Sequence, residues 1–418
     1  MSSEAQSEPA RSGSRVARAR DLVDPVLVAD CRRAPESGPA IVFLSGGTAL
    51  RELSRALKRL THNSIHLITP FDSGGSSARL RAAFSMPAVG DLRNRLLALA
   101  DEDEPASSRI QALFGHRLPR NEPPEALRER LGDLVAGRDV LLRDLPEAPR
   151  RYARGELARF AAAMPADFDL RGASIGNLIL TAGYLADGKL GPALARFEEQ
   201  LRVRGRVLPT VDVDLHLEAR LADGRRVRGQ HRITGKEHPP LASPIAEIRL
   251  IESLEGEHPA SVRPEASAEL CDLIRGADLL CFPMGSFYSS LLCNLLPAGV
   301  GSAVRDASCP KLYVPSTGRD PEFAGRGPAE GAAALLSALR ADAGEDAPTA
   351  ALLGGVLLDE SPGAYATPPD LGALDALELV RRSAALVPPG ESEIDPEALA
   401  EILVTAARDP AAWRRTAS

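Results

Sequence analysis

Three short stretches carry residue types that could act on a phosphorylated ligand. Ser45-Gly46-Gly47-Thr48 ends an apolar run, residues 40–44, and precedes Leu50, Leu53, Leu57 and Leu60 at helical spacing. Glycines in that position let backbone amides and a helix N-terminus approach an anion closely. A tight turn without a ligand is the plain alternative, because the chain holds neither G-x-G-x-x-G nor a Walker A sequence. The second stretch, Asp72-Ser73-Gly74-Gly75-Ser76-Ser77, follows the apolar run 65–69 and is followed by Arg79 and Arg81. An amide nest at Gly74–Ser77 flanked by two guanidinium forks would cradle a diphosphate. Asp72, with Asp91 of Gly90-Asp91-Leu92-Arg93-Asn94, offers two carboxylates to a hard cation such as Mg²⁺. Each is equally well placed to cap a helix. The third stretch, Met284-Gly285-Ser286-Phe287, follows the run 279–283, where open α/β sheets bind ligands; a connecting turn is its alternative.

A fourth pattern is set aside. Gly172-Ala173-Ser174-Ile175-Gly176 spells the G-x-S-x-G nucleophile elbow, which needs a buried strand before the serine. Asp167, Asp169 and Arg171 stand there instead, so Ser174 is expected to begin a buried helix. His62 and His66 straddle a turn, and no histidine spacing suits zinc.

The elements that position these loops alternate strand and helix, which predicts an α/β fold: a Rossmann-like parallel sheet with glycine-rich ligand loops at the strand carboxyl ends. Residues 101–170 read as a helical insertion, and 172–201 as two helices. Runs 211–221 and 226–231, joined by Ala222-Asp223-Gly224, predict a small β-hairpin subregion. The expected organisation is a disordered tail over 1–36, a main α/β domain over 37–325 and a C-terminal α/β extension over 326–418. That extension would hold a strand near 351–358 and helices near 371–385 and 396–408.

Composition narrows the partners. With 50 Lys plus Arg against 57 Asp plus Glu the 418-residue chain has a net charge of −7, and aromatics are 4%, so nucleic acid is not expected. Only four lysines occur (Lys58, Lys189, Lys236 and Lys311), so an anion site must use arginine forks or backbone amides. Five cysteines without a C-x-x-C pair fit a reducing, cytoplasmic location. The uncharged stretch 279–304 is broken by Pro283, Gly285, Asn294 and Pro297, so no membrane span is expected.

The loops together resemble the CofD-like superfamily, which joins the 2-phospho-L-lactate transferases of deazaflavin cofactor synthesis to the YvcK-type gluconeogenesis factors that bind UDP-sugars. The resemblance runs from about 40 to 320. It is carried by Leu44–Thr48, Asp72–Arg81, Gly90–Asn94 with Leu97–Asp101, Ile175–Leu178, Val203–Pro209 and Gly285–Ser289. It implies a nucleotide-diphosphate or nucleotide-sugar ligand held by Gly46, Gly47, Thr48, Gly74, Gly75, Ser76, Ser77, Arg79, Arg81, Arg93, Asn94, Asn177, Gly285 and Ser286. Mg²⁺ would sit at Asp72 and Asp91. The implied function is transfer of a phosphorylated group to a hydroxyl acceptor; the alternative is a non-catalytic UDP-sugar-binding regulator. The branch it resembles is associated with ATP-grasp and kinase-type proteins, which enter as expected partners, with self-association left open. Relatives carry Gly where this chain has Ala49 and a second Asp where it has Ser73. Two expectations for mutagenesis follow, both read by calorimetric titration. Arg79→Ala should weaken ligand binding while Arg120→Ala, in the helical insertion, changes little; and Ser73→Asp should strengthen dependence on Mg²⁺.

Overall fold

A parallel sheet covered on both faces requires strands that are buried at every position. β1 (Ile41–Ser45), β2 (Ile65–Ile68), β7 (Leu279–Phe282), β8 (Lys311–Tyr313) and β9 (Gly355–Asp359) meet that requirement, being buried throughout. The computed structural model describes residues 19–103, 106–235, 238–361 and 363–414. With β3 (Arg206–Pro209) and β10 (Val380–Ala384) these strands form one seven-stranded sheet in the order β10-β9-β8-β7-β1-β2-β3, every pair parallel. Side-chain alternation along β1 divides the core. Ile41 and Phe43 pack with Leu53, Leu57, Leu399 and Leu403, whereas Val42 and Leu44 join Leu280, Leu335 and Leu339 on the other face. The chain leaves β1 toward β2 and β3 on one side and returns through β7, β8 and β9 on the other. The crevice at that reversal, outside the carboxyl ends of β1, β2 and β7, is where open α/β sheets bind ligands.

Residues 107–163 contain three helices, Ser107–Gly115, Pro124–Ala136 and Glu147–Ala163. They build a second core against the buried helix Ile175–Asp187, around Phe114, Phe160, Leu178 and Phe197. A separate antiparallel sheet, β5-β4-β6, contains β4 (His216–Leu221), β5 (Arg226–Arg228) and β6 (Ile245–Ile251). The hairpin is thus a three-stranded sheet, its third strand unread in the sequence because Glu247 and Arg249 interrupt the apolar pattern. Glu218 of β4, 1% exposed, accepts hydrogen bonds from Arg226 at 2.6 Å, Arg228 at 2.9 Å and Arg249 at 2.7 Å. Burial alone would raise its pKa, but the bonds from Arg249, Arg228 and Arg226 hold the carboxyl down at about 2.

Several expectations change. Residues 1–18 of the predicted tail lie outside the described residues; the rest of it is helical, with Pro25–Arg33 capped by Asp24 and packed against helix Pro396–Arg408. The segment beyond 325, expected as a C-terminal α/β extension, adds β9 and β10 to the same sheet. The single helix predicted over 371–385 is a short helix, Leu371–Ala376, followed by strand β10. Glu378 at φ 58° ends the helical path, and pairing of Val380–Ala384 with Gly355–Asp359 decides the strand. Among the described residues all five cysteines are unpaired and buried, and no helix is long and apolar enough to cross a membrane.

Glu218→Gln leaves three guanidiniums around a neutral side chain and is expected to destabilise the protein by about 3 kcal/mol in urea denaturation at pH 7. Because the folded pKa lies below the unfolded value of about 4.3, the carboxylate's contribution is complete above that value and disappears as pH falls toward 2. The variant's deficit should therefore shrink over that acid range.

Candidate functional site

The loop after β1 contains glycine because other groups occupy the space a side chain would take. A Cβ on Gly47 would lie 2.3 Å from Asp91 Oδ1 and 2.7 Å from the Asp91 Cα; one on Gly46 would lie 2.5 Å from Ser290 Oγ. Arg95, in helix Gly90–Leu99, fixes the loop from behind. Fully buried, it donates from Nη2 to the Gly46 carbonyl at 2.8 Å and from Nη1 to the Leu50 carbonyl at 2.7 Å and to Ser54 Oγ. Burial pushes its pKa down to about 9, against the pull of Asp91 in the other direction.

After β2, Asp72 Oδ1 accepts the Gly74 amide at 3.0 Å, and helix Gly75–Phe84 begins at once. The resulting cavity, about 570 Å³, is lined by Gly74–Ser77, Arg79, Asn94, Asn177, Arg117, Arg120, Asp169 and Arg171, with Asp72 and Asp91 also on its wall. Asp169 is shared by two arginines: Oδ2 accepts from Arg79 at 3.1 Å, and Oδ1 accepts from Arg171 at 2.9 Å. The Arg171 hydrogen bond, chiefly, keeps that carboxyl below its usual range. Arg117 donates to the Gly172 carbonyl at 3.2 Å. Arg120 has no hydrogen bond or ion pair among the described residues. Burial, then the positive charge of Arg120, lowers the Arg117 pKa, with Asp72 opposing. Two adjacent guanidiniums, one of them unpartnered among the described residues, are chemically suited to an anion.

A smaller pocket of about 150 Å³ adjoins it, where Gly46–Ala49, Asp72, Asp91, Ser286 and Ser290 meet Gln230, His231 and Thr234. The last three come from the short helix Gln230–Ile233 that follows β5 and from its C-cap, so the small sheet's connection reaches over the carboxyl ends of the large one. Ser73 Oγ lies 2.8 Å from His231 Nδ1. Gly229, at φ 90°, makes room for that contact: a Cβ there would be 2.7 Å from the imidazole and 3.1 Å from Ser73 Oγ.

Most of the predicted ligand residues converge. Gly46, Gly47, Thr48, Gly285 and Ser286 line the small pocket, Gly75, Ser76, Ser77, Arg79, Asn94 and Asn177 the large one, and Gly74, Asp72 and Asp91 both. Two do not. Arg81, 4% exposed, turns away and donates to Asp214 Oδ1 at 2.6 and 2.9 Å and to the Phe71 and Leu215 carbonyls, so it braces the loop from beneath. Arg93, 3% exposed, packs against Gly176 and donates to Asn94 Oδ1 at 2.5 Å, orienting the amide that does face the cavity. Arg120 is not remote but on the cavity wall. Ser174, without exposure, precedes helix Ile175–Asp187 and donates to the Phe114 carbonyl, which leaves it no role as a nucleophile. The residues that sequence reasoning missed are Arg117, Asp169, Arg171, Gln230, His231, Thr234 and Ser290. The two charged pairs Arg117-x-x-Arg120 and Asp169-x-Arg171 were the available signal.

Among the described residues no three His, Cys, Asp or Glu side chains cluster for a metal ion. Asp72 and Asp91 nevertheless face the same two cavities, and one or two carboxylates completed by phosphate oxygens are the set Mg²⁺ takes. The residues present fit that ion.

The model of the family 2-phospho-L-lactate transferase CofD matches residues 41–367. A Nostoc sp. protein named "Putative gluconeogenesis factor" is 32% identical over 294 residues, which are 70% of this chain and 50% of that protein. The chain thus spans about half the length of that relative. The Bacillus subtilis protein named "Gluconeogenesis factor" is 31% identical over 276 residues, covering 66% of this chain and 67% of its own. A Bacillus halodurans crystal structure, described as a member of the UPF0052 family, superposes with a TM-score of 0.63 over 87% of this chain and 98% of its own at 23% identity, a likeness of fold.

The Ser73–His231 contact changes the outcome expected for Ser73→Asp. The new carboxylate would meet the imidazole and form a charge-assisted pair with it. Titration of inorganic diphosphate with Mg²⁺ and with chelator should therefore show metal dependence unchanged by the substitution. A clear gain in Mg²⁺ dependence would show that the side chain turns to Asp72 instead.

Proposed function

Because the chain belongs to the CofD family, we propose that it binds a nucleotide-diphosphate compound across the two adjoining cavities and transfers a phosphorylated group from it to a hydroxyl acceptor. The observation that carries this reading is that Arg79, Arg117, Arg120 and Arg171 line one cavity of about 570 Å³ together with Asp72 and Asp91. The guanidiniums and the Gly74–Ser77 backbone would hold the diphosphate. Asp72 and Asp91 would hold Mg²⁺, which when bound neutralises charge on the phosphate oxygens. The acceptor oxygen would enter through the small pocket and form a bond to phosphorus. The bridging P–O bond breaks, and a nucleoside monophosphate leaves with the bridging oxygen and its electron pair. His231, oriented by Ser73, is the imidazole lining that pocket and would take the acceptor's proton. Positioning and charge compensation supply most of the catalysis in such a step.

One observation favours a second reading, binding of a nucleotide sugar without turnover. Ser73 is engaged with His231, so Asp72 and Asp91 are the two carboxylates lining the small pocket; they would hold Mg²⁺ less tightly than three, and the metal's charge compensation at phosphorus would be smaller. The relatives named gluconeogenesis factors suit this regulatory role.

Calorimetric titration with inorganic diphosphate, UDP, GDP and UDP-glucose tests the binding, and chromatography of nucleoside monophosphate released in the presence of Mg²⁺ and hydroxyl acceptors tests the transfer. Arg117→Ala and Arg120→Ala should each weaken binding about tenfold, while Arg59→Ala, an exposed partner of Glu397 outside the cavity, changes little. Equal behaviour of all three variants would remove the cavity from the proposal. Binding without release selects the regulatory reading.

A further inference from the structure

A separate cavity of about 510 Å³ opens beyond the carboxyl ends of β7, β8 and β9. It lies on the other side of the segment 285–290 from the diphosphate site, and its volume is that of a small-molecule pocket. Four aromatic side chains, Phe287, Tyr313, Phe323 and Tyr365, stand in its wall among small and proline residues, with the Phe287 and Phe323 rings 4.2 Å apart.

The wall is held in shape by bonds that need no ligand. Asp320 Oδ2 accepts the Phe287 amide at 2.7 Å, and buried Glu322 accepts the Tyr288 and Ser289 amides at 3.0 and 2.8 Å. Ser316 Oγ accepts the Gly285 amide at 2.8 Å. Two guanidiniums stand at the cavity. Arg326 is committed: it lies over the Tyr288 and Phe323 rings, 5.8 and 5.9 Å from their centroids, and donates to the Ile245 carbonyl at 2.9 Å. Arg319 is exposed and, among the described residues, makes no hydrogen bond or ion pair.

A preformed aromatic cavity with one uncommitted cation at its mouth selects for an apolar body carrying a negative head. We infer that this cavity is a second ligand site, for an anionic compound with an aromatic or branched apolar body. Its rings lie against Phe287, Phe323, Tyr313 and Tyr365, and its carboxylate, sulfonate or phosphate meets Arg319. The inference uses none of the residues assigned to the diphosphate and stands or falls apart from that assignment.

The probe is 8-anilinonaphthalene-1-sulfonate, an aromatic anion whose fluorescence rises in apolar surroundings, with neutral N-phenyl-1-naphthylamine as its uncharged counterpart. Both should bind the whole protein one to one. Ala324→Trp and Ala366→Trp, two exposed wall positions that accept a larger side chain without disturbing the core, should each weaken both probes about tenfold or more by filling the cavity. Arg319→Ala should weaken the sulfonate about fivefold and leave the neutral probe unchanged. Absence of binding, several sites indifferent to both tryptophans, or equal losses of the two probes in Arg319→Ala would overturn the inference.

Discussion

A guanidinium without access to water organises the face of this protein on which the glycine loops meet. Arg95 binds the Gly46 and Leu50 carbonyls at once, and so locks the loop after β1 to the helix that carries Asp91 and Asn94. An isolated buried charge is costly, and this one is tolerated because backbone carbonyls surround it and Asp91 lies near. The glycines follow from the same constraint: once helix and loop are drawn together, no side chain fits at Gly47.

Around that junction the site is assembled from three independent parts of the chain. The large sheet supplies loops at the carboxyl ends of β1, β2 and β7, the helical insertion and its return supply Arg117, Arg120, Asp169 and Arg171, and the small sheet supplies Gln230 and His231. The buried Glu218 centre matters here because it fixes the sheet that delivers the imidazole. A chain of net charge −7 thereby presents four guanidiniums, beside Asp72, Asp91 and Asp169, to one cavity, so the local charge differs from that of the whole molecule.

The segment 285–290 has two sides. Ser286 and Ser290 face the polar pocket and Phe287 the aromatic one, and the acidic pair Asp320 and Glu322 anchors the amides between them. Burial, with Asp320 adding to it, raises the Glu322 pKa to about 7. A single short stretch of chain thus forms a wall common to both cavities.

Sequence alone determined the parallel sheet and the three glycine-containing loops that meet at the cavities, because glycine loops between apolar runs and helical spacing are local properties. It also carried the family, through several motifs in one order. Tertiary structure decided the rest. Arg79 and Arg81 both read as ligands, yet two positions on a helix lie roughly 200° apart around its axis, so only one could face the cavity. Arg120 read as a distant surface charge because nothing local tells where an insertion folds back. Ser73 read as a missing carboxylate, while its partner His231 stands 158 residues away. Residues 380–384 read as helix until pairing with β9 made them a strand. Each of these outcomes depends on which surfaces meet across the chain, and spacing along one segment does not encode that.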